Sequence, residues 1–165
     1  MFRYVLLLML FGVCVVVGYM FSLKYKKRQA FFSSIIMLAE KLDVEINYSR
    51  ERLKKLIQEV DEGQKKKLCS IDKNYIAYLD GECELSMETL FKNIPFLKAS
   101  EKDLIFLFFK SLGRSDVENQ SKEIKSYIKR FETLSSSADS ENKKYGSLCT
   151  KIGIIAGLFV VVVLI

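Results

Sequence analysis

Asp116 and Glu118 are the carboxylates of the most patterned stretch in the chain, Leu112-Gly113-Arg114-Ser115-Asp116-Val117-Glu118-Asn119-Gln120, and so the first groups to weigh for acid–base chemistry. The sequence has no histidine, so a general base would have to be a carboxylate or a lysine of shifted pKa. No carboxylate pair spaced by three or four residues stands on an apolar face. Capping explains the stretch more simply. Gly113 sits where a helix needs a left-handed residue after its last turn. Ser115 is then an N-cap, Asp116 places negative charge in the first turn, and Glu118 can bond back to the Ser115 N–H. Gly113 belongs to no phosphate loop, because neither a second glycine nor Gly-Lys-Ser/Thr follows. Cys14, Cys69, Cys83 and Cys149 form no Cys-x-x-Cys, and without histidine they offer neither a zinc set nor a Cys-His nucleophile pair. We expect reduced structural thiols, no catalytic constellation, no metal and no cofactor.

The elements that position Leu112, Gly113, Ser115, Asp116, Glu118 and Gln120 read as helices. The six-residue apolar run Leu104–Phe109 follows a capping box at Ser100–Asp103 and is apolar on all sides, which predicts a central, covered helix. Two or three residues later the next helix must fold back on it. That helix keeps Val117, Ile124, Ile128, Phe131 and Ala138 on one side and reaches Tyr145, with a break possible at Ser135-Ser136-Ser137. Upstream, Phe32, Ile35, Ala39, Leu42 and Ile46 form one buried stripe, widened by Phe31, Ile36 and Leu38. Nothing between Ser22 and Gln29 breaks that helix. Ser49 can cap a second helix with Leu53, Leu56, Ile57 and Val60 inward, ended by Gly63. A third, from about Gln64 to Asp80-Gly81, carries Leu68, Ile71, Tyr75, Ile76 and Leu79. A short fourth follows Ser86, carries Leu90, Phe91 and Ile94, and is stopped by Pro95.

Two apolar segments flank this region. Tyr4–Phe21 is uncharged and about 27 Å long as a helix, enough to cross a bilayer with small adjustment. A cleaved leader is the alternative, but no Ala-x-Ala-like site follows, and Lys24, Lys26, Lys27 and Arg28 read as a stop-transfer flank. Leu148–Ile165 is a second span, with Lys151 reaching to the interface. Gly153 and Gly157 have the spacing that lets another helix approach, although small residues are common in spans generally. The expected architecture is all-α: a compact cytoplasmic bundle of about six helices over 22–147, between transmembrane helices at 4–21 and 148–165. The basic flanks place the connecting region in the cytoplasm. They also account for most of the net charge of +6, so the rest is nearly neutral and nucleic acid is not an expected partner. Lys65-Lys66-Lys67 could touch acidic lipid or an acidic partner, or be a solvated helix start. Arg50, Arg52, Lys54 and Lys55 form a basic cluster that is a candidate partner surface, with solvated surface as the plainer reading.

The Leu112-Gly113-x-Ser115-Asp116-x-Glu118-Asn119-Gln120 run, the earlier Leu42-x-x-Glu45-Ile46-x-Tyr48 run and the apolar tail resemble the stage III sporulation protein AB family. The similarity covers most of the chain and departs from the family pattern at Arg50 and Glu51. It implies likeness to the cytoplasmic domain of inner-membrane platform proteins of type II secretion and type IV pilus systems. It also implies a place in the channel apparatus between mother cell and forespore, in the outer forespore membrane on the mother-cell side. The expected partner is the stage III sporulation protein AA ATPase. The chain would then be a non-enzymatic platform or adaptor. The competing expectation is a two-span subunit of a transporter or a small membrane enzyme; a transport path usually carries ionisable residues inside its spans, and these segments have none apart from interfacial Lys151.

Overall fold

The structure, a computed structural model, describes residues 2–45, 50–92, 94–114 and 116–164, the side chains of 2–6, 50 and 164 aside. The order is α1 (Phe2–Val44), α2 (Arg50–Gln58), α3 (Glu62–Leu68), α4 (Ile71–Leu79), α5 (Met87–Leu90), α6 (Ala99–Ser111), α7 (Val117–Glu141), a π turn (Asn142–Gly146) and α8 (Ser147–Leu164). The fold is all-α, with no strand among the described residues. Two compact units are present: Ala30–Ser135 is one, and Met1–Gln29 with Ser136–Ile165 is the other.

In the Ala30–Ser135 unit the core is aromatic and aliphatic. α1 contributes Phe31, Phe32, Ile35, Leu38, Ala39 and Leu42, and α6 contributes Ile105, Phe108 and Phe109. Phe108 meets Phe131 and Tyr127 edge-on, each with centroids 5.4 Å apart, and Tyr75 lies 4.7 Å from Phe109. Such edge-to-face contacts add directional preference to plain area burial. Ile46, Tyr48 and Ser49, which the sequence assigns to the end of the first stripe and the cap of the second helix, lie outside the described residues.

Several boundaries differ from the sequence reading, each for a local reason. Gly63 does not end a helix. The Asp61 carboxylate accepts from its N–H at 2.9 Å, so the pair opens α3. The predicted third helix is two helices, because Cys69 and Ser70 both take left-handed φ, +54° and +72°. α5 ends at Leu90, ahead of Pro95, within a Ser86–Thr89 capping box. α6 starts two residues earlier than expected: Glu101, not Asp103, returns a bond to the backbone, accepting from Lys98 N–H at 2.9 Å. Its run is not covered all round either, since Leu107 is 51% exposed. Val117, expected inward, is exposed.

The other unit is an antiparallel pair of helices. α1 is continuous through Ser22–Gln29, as the lack of a breaker required. α7 runs unbroken through Ser135-Ser136-Ser137, with Ala138 keeping the buried stripe. The irregularity comes instead at the π turn. Glycines set the approach of the span-length segments. A Cβ on Gly18 would lie 2.7 Å from the Cys149 carbonyl oxygen, one on Gly153 2.9 Å from that of Cys14, and one on Gly157 2.7 Å from the Phe11 ring. The helix that Gly153 and Gly157 admit is therefore the chain's own N-terminal apolar helix. Away from this seam Leu8, Met9, Val13, Met20, Phe21, Ile155, Phe159 and Val162 are exposed.

Candidate functional site

The patterned corner is built from the end of α6. Leu112 is extended and Gly113 takes φ +74°, the left-handed conformation a glycine adopts without a Cβ penalty. A helix end leaves carbonyls without intrahelical donors. Here Tyr75 Oη donates to Phe109 O at 3.1 Å, Ser111 Oγ to Phe108 O at 2.9 Å, and Arg114 N–H to Ser111 O at 3.3 Å. Gln120, 1% exposed, reaches back from the first turns of α7. Its Oε1 accepts from Gly113 N–H at 3.1 Å, and its Nε2 donates to Ser111 O at 3.5 Å. The glutamine thus closes the corner from the far helix, a role that spacing alone does not show.

The start of α7 lies one residue beyond the expected one. The Asp116 carbonyl accepts the Gln120 N–H at 2.8 Å, and the Asp116 carboxylate accepts from Asn119 Nδ2 at 2.7 Å. That side-chain bond holds the Asp116 carboxyl below the ordinary carboxylate range. Glu118 pairs with Lys122 at 2.6 Å on the exposed face. Ser115 lies outside the described residues. Leu112 and Gly113, with Tyr75, Tyr78, Phe109 and Arg114, line a small cavity of about 180 Å³.

The basic cluster on α2 is divided. Arg52 pairs with Glu45 at 2.8 Å and Lys54 with Asp80 at 2.7 Å. Lys55 is exposed without an ion pair among the described residues, and the Arg50 side chain is outside them. Of the described side chains in this cluster, Arg52 and Lys54 are thus engaged by carboxylates of the same unit.

A larger open cavity, about 900 Å³, lies at the α3–α4 junction, where Lys65, Lys66, Cys69, Ser70, Asp72 and Lys73 are among its lining residues. Asp72 is 2% exposed and its Oδ1 has no hydrogen-bond partner among the described residues. Burial pushes its carboxyl above the ordinary range, against the opposing pull of the Lys73 backbone N–H. The left-handed pair Cys69-Ser70 starts this helix; neither glycine nor proline marked it in the sequence. Among the described residues no group of three or more Cys, Asp or Glu could hold a metal ion.

What fold and site define is an all-helical chain with two span-length apolar helices and a hydrogen-bonded helical corner. The chain matches the family model of stage III sporulation protein AB over residues 3–165 and belongs to that family, so its role lies in sporulation. No curated protein and no solved structure matches it.

Proposed function

We propose that the chain is a non-enzymatic platform or adaptor of a mother cell–forespore channel apparatus in the outer forespore membrane. Its central domain faces the mother-cell cytoplasm and engages an ATPase of the stage III sporulation protein AA type. The observation that carries this reading is the glycine-seamed pair of apolar helices, which leaves large side chains outward on both helices, as a lipid solvent requires. Family membership supplies the sporulation setting. A helical domain between two spans can hold a soluble ATPase at a membrane without chemistry of its own. This suits a corner whose buried polar groups, Gln120 and Tyr75, are engaged in closing a helix end.

The test is binding between the full chain in detergent micelles and a purified ATPase of that type, followed by deletion in a sporulating cell. Saturable binding together with arrest of forespore development supports the platform. No binding together with normal spores would end it.

A further inference from the structure

Just beyond the apolar runs, α1 and the π turn form a second layer of contacts. The unit that contains them has only two acidic residues, Asp139 and Glu141. Both are engaged within it. Arg28, 4% exposed, donates to Glu141, while Asp139 accepts from Gln29 Nε2 at 2.6 Å and pairs with Lys143 at 2.6 Å. Lys24, Lys26, Lys27 and Lys144 are exposed and make no ion pair among the described residues. The rings of Tyr25 and Tyr145 hold the two segments together, centroids 5.9 Å apart, and the Lys144 ammonium lies 5.2 Å from the Tyr145 centroid.

Depth follows from helical rise. Lys24 is about 5 Å past Phe21 and Lys144 about 6 Å ahead of Leu148, so both fall at the level of headgroup phosphates if the apolar runs fill the hydrocarbon. Tyrosine rings are at home at the same level. Basic residues scattered along a loop would orient a chain equally well. Here they come from opposite ends of the sequence and are fixed in register by a ring pair and the part-buried Arg28–Glu141 ion pair.

We propose that this collar binds the headgroup phosphate of an anionic phospholipid, with Lys24 and Lys144, each next in sequence to a ring of the Tyr25–Tyr145 pair, supplying the charge. The proposal rests on the membrane-spanning reading above. An ammonium donates to phosphate oxygens as a compact charge. A zwitterionic lipid already carries its own cation, so the site should select net negative charge.

The full chain is reconstituted into phosphatidylcholine vesicles containing spin-labelled phosphatidylglycerol or spin-labelled phosphatidylcholine, and the motionally restricted fraction of each label is measured. We expect a several-fold preference for phosphatidylglycerol. It should be lost in Lys24→Gln/Lys144→Gln and kept in Lys24→Arg/Lys144→Arg, which controls for folding. Removing the same charge from α3 in Lys66→Gln/Lys67→Gln should leave the preference intact. Equal restriction of both labels by inserted wild-type chain, or equal loss in the α3 variant, overturns the site while leaving the spans standing. Abolition of the preference by inorganic phosphate, but not by chloride at equal ionic strength, would show an anion site indifferent to lipid and also overturn it. A chain that fails to insert into either vesicle would sink the membrane reading and this proposal together.

Discussion

Asp72 is a buried carboxylate expected to cost the fold stability when ionised. Its buried Oδ1 has no hydrogen-bond partner among the described residues, and burial raises its pKa above the ordinary 3.8. The folded chain therefore binds this proton more tightly than the unfolded chain. The destabilisation is absent below the ordinary pKa and grows as pH rises from there through the folded value, remaining in full at neutral pH. Asp72→Asn should raise the urea midpoint at neutral pH and lose that advantage as pH is lowered toward 3.8. An unchanged midpoint at neutral pH would mean the carboxylate is solvated. The corner residues make the opposite prediction. At Gly113 a Cβ would have room, 3.5 Å from Leu53 Cδ1, so the cost of Gly113→Ala is backbone strain at positive φ, about 1–2 kcal/mol. Gly113→Asn should cost less, since asparagine tolerates that region. Gln120→Leu leaves the Gly113 N–H without its partner and should cost about 1–3 kcal/mol. Urea unfolding of the detergent-solubilised chain measures all three; a wild-type midpoint for both Gly113→Ala and Gln120→Leu would remove the corner from the account of stability.

Among the elements, those with sustained apolar periodicity were legible, and those set by single backbone choices were not. The stripe from Phe31 to Leu42 and the Ile124–Phe131–Ala138 stripe, each spaced at three, four or seven, predict buried faces that the structure contains. The serine triplet weakens only local propensity, and packing of Phe131 and Ala138 carries α7 across it. The break at Cys69-Ser70 was hidden because neither residue favours left-handed φ. Ser70 also makes no side-chain cap bond there. Ser70→Gly should therefore relieve strain of about 1–2 kcal/mol, offset by about 0.5–1 kcal/mol of added chain entropy, for a small net gain in the melting temperature. A loss would mean the hydroxyl has a role at the cavity. Gly18 was missed for another reason: one glycine inside an apolar run is common, and only its position opposite Gly153 shows what it permits. Gly18→Ile should push against the Cys149 carbonyl and Gly153 Cα, costing about 1–3 kcal/mol and lowering thermal stability in detergent. Gly12→Ile, with nothing within 4 Å of its would-be Cβ, is the matched control that should melt like wild type.

For the molecule as a whole, the charge of +6 is a statement about a membrane rather than about a ligand. Lys24, Lys26, Lys27 and Lys144, without ion pairs among the described residues, lie at the ends of the apolar runs, and juxtamembrane cations are retained on the cytoplasmic side. On the topology we propose, the Ala30–Ser135 unit lies in the cytoplasm, the side from which a nucleotide-driven partner would reach it. Two native thiols report on this directly. Cys69 and Cys83 are partly exposed and belong to that unit, whereas Cys14 and Cys149 belong to the span pair. In a Cys14→Ser/Cys149→Ser chain expressed in the plasma membrane of non-sporulating cells, a membrane-impermeant maleimide should leave intact cells unlabelled and react once the membrane is opened. The second span imposes the same side on the unit as the first, because an even number of crossings returns the chain to where it started. Labelling of Cys69 or Cys83 from outside intact cells would therefore invert both spans at once. It would put the central unit out of reach of any cytoplasmic ATPase and remove the physical basis for the platform.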